Sequence, residues 1–186
     1  MTDANAGAAR LFRERDYGST HTSWILEIRF DEVRPAAAEP PEGITFRRYT
    51  PGIDDRAAYR LVEDAFNGLP GRDPAPYEEW EATVLHGAFS PQLSVLAFDG
   101  DELVGTALSY DYASTDEGWI QQLATRATHR HRGIARAMLN ETFGAFHERG
   151  KRRCGLSTDS RTGALGLYER VGMSIRRSYT RYTKTL

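Results

Sequence analysis

The residues with the most chemical promise lie in one stretch, Trp119 to Met138, which reads WIQQLATRATHRHRGIARAM. Its first part, up to Thr125, clusters apolar residues as a buried strand does, and an apolar-periodic helix opens at Gly133. Between them, Arg130-His131-Arg132-Gly133-Ile134-Ala135 supplies small residues and main-chain N–H groups where the helix begins. The first N–H groups of a helix have no intrahelical partner, and the helix dipole adds partial positive charge there, so such a start binds anions. A pyrophosphate fits that chemistry. Gly133 and Ala135 matter because a bulky side chain would hold the backbone away from phosphate oxygens.

Other reactive residue types are scattered. His129 and His131 share the basic loop, and His86 and His147 fall near expected helix ends, but no carboxylate or cysteine accompanies them at metal-ligand spacing. A zinc-type site needs three or four convergent ligands, so no metal is expected. Cys154 sits in an apolar strand pattern and reads as a small buried residue. Asp111, Asp116 and Glu117 are carboxylates on or beside one polar loop, and Gln121 and Gln122 occupy the strand that follows. Arg176, Arg177 and Arg181 read as a solvated basic face, from which one arginine could meet a ribose phosphate.

A chain of 186 residues is long enough for one domain with a sizeable core and an appendage. Its net charge of −2 argues against a general nucleic-acid binder, which would be broadly basic. The single cysteine excludes an internal disulfide and suits a reducing compartment. No apolar run reaches the roughly 20 residues that cross a bilayer, and the N-terminus lacks a signal-peptide pattern. The expectation is a cytoplasmic protein with neither membrane nor nucleic-acid partners.

The elements that must position the loop follow in order. Residues 1–6 are polar, small and expected to fray. Val33 to Gly43 is rich in proline and alanine and reads as a semi-rigid linker. A strand from Ile44 to Tyr49 precedes a helix that Asp54 or Asp55 caps and that ends near Phe66. Asn67 to Pro76 is a loop, Tyr77 to His86 a helix and Leu93 to Phe98 a strand. Asp99-Gly100-Asp101 marks a tight turn into a returning strand, Glu102 to Tyr110. The helix after the basic loop stops at Gly150. Cys154 to Thr158 is then a strand, Thr162 to Arg170 a helix and Ser174 to Lys184 a pair of strands. An internal repeat is also visible. Gly7 to Phe30 lies without gaps on Gly163 to Leu186, setting Leu11 on Leu167, Phe12 on Tyr168 and Tyr17 on Met173. An orphaned apolar strand around Trp24 to Ile28 would need a partner edge in this chain or in a second copy.

Arg130-x-x-Gly133-x-Ala135, preceded by Gln122-Leu123-Ala124-Thr125 and followed by Gly163-Ala-Leu-Gly-Leu-Tyr168-Glu-Arg-Val-Gly172, resembles the coenzyme-binding core of the GNAT superfamily of N-acetyltransferases. The resemblance covers about residues 42 to 186. It implies an α/β (α+β) fold, the GNAT fold, with a mixed central sheet, splayed central strands and flanking helices. It implies acetyl-coenzyme A as cosubstrate and an amine as acceptor, expected to be a small molecule, with a protein N-terminus or lysine as the second choice. A coenzyme-binding module without catalysis is the competing reading.

The same resemblance distributes roles. The backbone of Leu123, Ala124 and Thr125 would pair with the pantetheine arm, and the N–H of Leu123 or Ala124 would polarise the thioester carbonyl. Arg130, His131, Arg132, Gly133, Ile134 and Ala135 would cradle the pyrophosphate. Tyr168 would protonate the departing thiolate, since a phenol with a pKa near 10 is protonated at neutral pH. Ser160 stands where many members carry an asparagine that reaches the pantetheine arm. No general base is identified. Tandem members such as mycothiol synthase carry two such domains and their activity in the second. Residues 1–31 are accordingly expected to resemble the tail of a preceding domain, with 32–43 a linker, 44–186 the acetyltransferase domain, and association of two copies through the N-terminal arm.

Overall fold

The computed structural model describes residues 6–184. The expectation of a frayed start falls, up to residue 5, outside the described residues, and so does the closing Leu186. Two compact units emerge, one made of residues up to Ile28 together with those from Leu156 onward, the other of Arg29 to Gly155.

The larger unit contains a four-stranded antiparallel sheet in chain order: β2 (Ile44–Arg48), β3 (Val95–Asp99), β4 (Glu102–Asp111) and β5 (Glu117–Thr125). Side chains alternate across a strand, and β3 shows the result. Leu96 joins Ala58 and Leu61 of α2 (Asp55–Phe66) and Trp80 and Val84 of α3 (Tyr77–Val84) in one cluster. Val95 and Ala97 join Ile134 and Met138 of α4 (Ile134–Glu148) in another. The sheet is therefore buried on both faces, and β4 is buried from Leu103 to Tyr110. Asp99 pairs with Glu102, so Gly100 and Asp101 form the expected tight turn. Two bulges interrupt the ladder, with Val104 the inserted residue in β4 and Gln121 in β5. A bulge strengthens twist and re-aims neighbouring side chains.

Helix α4 seats on glycines. The Phe146 ring lies where a side chain on Gly118 of β5 would start, 2.3 Å from the nearest ring carbon, and Met138 stands 2.8 Å from the corresponding point on Gly105 of β4. The far end of α4 is tied down by charge. Lys151 is 9% exposed and places its ammonium 2.6 Å from Asp111, while donating to the carbonyls of Tyr112 and Thr115 at 3.0 Å each. Three ammonium protons thus meet three acceptors. Arg149 adds a hydrogen bond of 3.1 Å to the same carboxylate.

In the smaller unit, α1 (Ala6–Glu14) leads into β1 (Gly18–Arg29), and α5 (Leu165–Arg170) leads into β7 (Ser174–Thr183). The strand β6 (Arg153–Asp159) enters this unit from Leu156. The orphaned strand finds its partner within the chain, because β1 pairs antiparallel with β7. Ser23 faces Tyr179, which is the residue that the internal alignment assigns to Ser23. Thr20 is the inserted residue of a bulge in β1 and Arg176 that of a bulge in β7, and the alignment lays these two on one another as well. Phe12 stacks on Tyr182 at 5.3 Å and meets Tyr17 edge-on at 5.3 Å.

The expected pair of strands at the C-terminus is one strand, β7. No Gly, Pro, Asn or Asp lies between Ser174 and Thr183 to turn the chain, and the bulge at Arg176 takes up the irregularity instead. Helix α5 begins at Leu165 rather than Thr162, whose side chain is spent on the preceding turn.

Two outcomes test this packing. Gly118→Ala places a methyl group against Phe146 and is expected to cost about 1–3 kcal/mol, read as a lower urea midpoint at unchanged slope. Burial pushes the Asp111 carboxyl up, but Lys151 and Arg149 more than offset it and hold it below the usual range. The stabilisation it provides is present above its unfolded pKa of about 3.9 and is lost as the pH falls through the folded value. Asp111→Asn should lose about 3 kcal/mol near neutrality and show a flatter decline of stability below about pH 4, measured by denaturant titration across pH.

Candidate coenzyme and catalytic site

The loop that joins β5 to α4 lies within the larger unit. Strand β5 keeps its β4 edge engaged to the end, with Leu123 opposite Ala107, Ala124 opposite Thr106 and Thr125 opposite Gly105. Leu123 packs its side chain toward the α4 face of the core.

After Thr125 the chain makes a short 3-10 turn over Ala127–His129 and then reverses twice through left-handed backbone, His131 at φ 64° and Gly133 at φ 83°. Space is not the constraint at Gly133, since the nearest atom to a side chain there would be Pro41 Cγ at 3.9 Å. The constraint is the positive φ, which glycine adopts without steric cost. Gly133 is the N-cap of α4, with no side-chain hydrogen bond to the helix start. The first intrahelical bond runs from Ala137 N–H to Gly133 C=O at 3.0 Å. The N–H groups of Ile134, Ala135 and Arg136 precede it and have no intrahelical acceptor.

The basic side chains of the loop mostly brace it. Arg130 donates to the carbonyls of Thr125 (3.3 Å) and Ala65 (2.9 Å). Arg126 donates to the Leu103 carbonyl and pairs with Glu102 at 3.0 Å. Arg132 and His129 both reach Asp99, at 3.2 and 3.3 Å. The hydrogen bond from Arg132, with help from His129, holds the Asp99 carboxyl below the usual range. The side chains of Arg126, Arg130 and Arg132 are thus engaged within the chain, while His131 and Arg136 are exposed.

The three carboxylates on or beside the polar loop are all engaged with cations. Asp111 is held by Lys151 and Arg149 as described. Asp116 lies 3.3 Å from Arg153, and Glu117, which belongs to β5 rather than to the loop, lies 3.8 Å from the same guanidinium. The two glutamines are held by indoles: Trp80 Nε1 donates to Gln122 at 3.0 Å and Trp119 Nε1 to Gln121 at 3.1 Å. The first of these bonds joins α3 to β5, and nothing in the spacing of residues 80 and 122 signals it. Trp80 also meets Tyr59 and Tyr77 in an aromatic group. Cys154 is fully buried, and burial pushes its thiol up. Among the described residues no three metal-ligating side chains converge, and no helix is long and apolar enough to cross a membrane.

Tyr168 and Ser160 belong to the smaller unit. Tyr168 is 7% exposed, and burial pushes its phenol up to about 12, partly countered by a hydrogen bond with Thr158. Ser160 is bound to β1: its hydroxyl accepts from the Thr22 N–H at 3.2 Å, and its own N–H donates to the Thr22 carbonyl at 2.9 Å. The hydroxyls of Thr158 and Thr162 lie 3.0 Å apart. The sequence reading passed over both threonines, since hydroxyls on different elements carry no spacing signature.

The model of the acetyltransferase (GNAT) family matches residues 56–173, which span β4, β5, the loop, α4 and α5. A GCN5-related N-acetyltransferase from Sphaerobacter thermophilus superimposes with a TM-score of 0.86 and 39% identity, over 99% of this chain and 57% of its own. Mycothiol acetyltransferase of Catenulispora acidiphila is 23% identical over 181 residues, 94% of this chain and 57% of that protein. The Streptomyces scabiei mycothiol acetyltransferase is 29% identical over 146 residues, 77% of this chain and 46% of its own length. The chain thus spans about half the length of these curated relatives. With a strand, a left-handed loop and an unsatisfied helix start in the family's order, and a family match over more than half its length, the chain belongs to the GNAT acetyltransferases.

Proposed function

We propose that the protein transfers the acetyl group of acetyl-coenzyme A to a primary amine by direct attack on the thioester. The observation that carries this reading is the start of α4, where a glycine at φ 83° precedes three helix N–H groups that have no intrahelical acceptor. Diphosphate oxygens would accept from those N–H groups, and the main chain of Leu123, Ala124 and Thr125 would hold the pantetheine arm. Tyr168 is the proposed acid, because its raised pKa keeps the phenol protonated until a thiolate forms beside it. The names of the mycothiol acetyltransferases favour a small-molecule acceptor over a protein N-terminus or lysine. Cytoplasmic location belongs to the same proposal.

A second reading, a coenzyme-binding module without turnover, gains weight from one observation. Asp111, Asp116 and Glu117 are each paired with a cation, so none is a free base for the amine. In the catalytic reading water takes that proton.

We propose further that residues 1–31 are the tail of a preceding GNAT-like unit, joined by residues 32–43 to the acetyltransferase domain of residues 44–186. The support is the pairing of Ser23 with its own aligned counterpart, and the coincidence of the two bulged residues, Thr20 and Arg176, under the same alignment. Because β1 is paired with β7 in one chain, this arrangement does not require a second copy.

Titration calorimetry with acetyl-coenzyme A should show saturable binding, and a panel of amines should release free thiol above buffer. Binding without thiol release on every amine would select the non-catalytic module, and no binding would remove both readings. Tyr168→Phe is expected to lower turnover about tenfold or more while coenzyme affinity changes little. Gly133→Val forces a β-branched residue into positive φ, and coenzyme affinity should fall more than about tenfold as the helix N–H groups lose their aim.

A further inference from the structure

Trp80 is 3% exposed, and its indole N–H donates to Oε1 of Gln122 at 3.0 Å. An indole can only donate, so this contact fixes which end of the glutamine amide faces it: the oxygen. The amide nitrogen, with its two N–H groups, is turned away from Trp80. Among the described residues that nitrogen meets no acceptor, and it is not sealed from solvent. The phenols around Trp80 do not compete for the amide. Tyr59 donates to the Ala75 carbonyl at 2.7 Å and Tyr77 to Glu81 at 2.8 Å.

The bulge in β5 is what brings Gln122 to α3. Ile120 lies opposite Ser109 and Gln122 opposite Leu108, with Gln121 inserted between them. Leu108 and Ser109 are consecutive and face opposite sides of the sheet, and residues directly opposite in an antiparallel pair share a side. In an unbroken strand Ile120 and Gln122 would share a side. The inserted residue turns Gln122 to the side where Leu108 packs with Trp80. The next residue, Leu123, packs its side chain toward α4. Gln122 thus presents unused donors on the α3 side of β5, one residue before the main chain that the proposed function gives to the thioester.

We propose that Gln122 is a specificity-determining residue that donates from its amide to an oxygen of the acceptor substrate, with Trp80 as its positioning residue. The inference rests on the acetyl-transfer reading and narrows the acceptor to amines that carry a hydrogen-bond-accepting oxygen near the amino group. While the indole holds Oε1, the amide cannot turn over to present its oxygen instead. An amine with an apolar chain at that place leaves the two N–H groups without an acceptor.

The test compares methoxyethylamine with butylamine, which differ by an ether oxygen in place of one methylene. Gln122→Leu should lower the ratio of kcat/KM for methoxyethylamine to that for butylamine about fivefold to tenfold, through KM, with butylamine itself within about twofold. Gln122→Glu, which replaces the donors by an acceptor, should lower the ratio at least as far. Trp80→Phe should lower it less, because the freed amide can present either end. An equal fall for the two amines in Gln122→Leu would make the bond to Trp80 a structural tie and overturn the proposal. A second readout is independent of turnover. With isotopically labelled glutamine and coenzyme A bound, the Gln122 side-chain amide resonance, identified by its loss in Gln122→Leu, should move with methoxyethylamine and stay in place with butylamine. A resonance moved by both amines or by neither overturns the proposal. If the wild-type protein turns over neither amine while the resonance moves selectively, the acetyl-transfer reading fails and the oxygen-binding subsite stands.

Discussion

The architecture of the site depends on one backbone constraint, the left-handed turn through His131 and Gly133. Two positive φ angles within three residues reverse the chain hard enough to start α4 with its N–H groups facing out of the loop. No side chain caps that start, so its donors stay available. The strain at His131, a residue with a Cβ, is held by its surroundings. Arg126, Arg130 and Arg132 fasten the loop to Leu103, Thr125, Ala65 and Asp99. Charge that looks like ligand-binding charge in the sequence is largely used to hold the main chain of the loop in place.

A helix start is useful only if the helix cannot drift, and two devices fix α4. Along its length, Phe146 and Met138 fill the positions left open by Gly118 and Gly105. Beyond its C-terminus, Lys151 is buried with three acceptors around it and Asp111 shared with Arg149. Each device loses stability when altered, the first through overpacking if a glycine gains a side chain and the second through an uncompensated buried charge if one ion is removed. The same ion pairs take carboxylates out of consideration as bases, so one set of interactions shapes both the stability and the chemistry.

The smaller unit combines hydroxyl contacts and strand pairing with ion pairs such as Arg161–Asp159 and Arg176–Glu27. Ser160 is spent on β1, and the hydroxyls of Thr158 and Thr162 lie 3.0 Å apart. Pairing of β1 with β7 explains how an apolar strand near the N-terminus avoids exposure, and the matching bulges at Thr20 and Arg176 keep its register.

By itself the sequence determined most of the order of elements, the place where α4 begins and the family. Those are set by local period, glycine placement and a short motif in its context, all of which are contiguous in the chain. It also led to errors where local signals fall silent, as in the C-terminal strands, where an absence of turn residues was the clue to a single β7. Only the tertiary structure decided which cations brace and which face outward, that Asp111 and Glu117 are paired, that His131 is left-handed, and that Tyr168 is buried. These depend on groups brought together from distant positions, such as Arg130 with Ala65 or Trp80 with Gln122. A hydrogen bond or ion pair is a matter of ångströms in space, and distance along the chain does not report it.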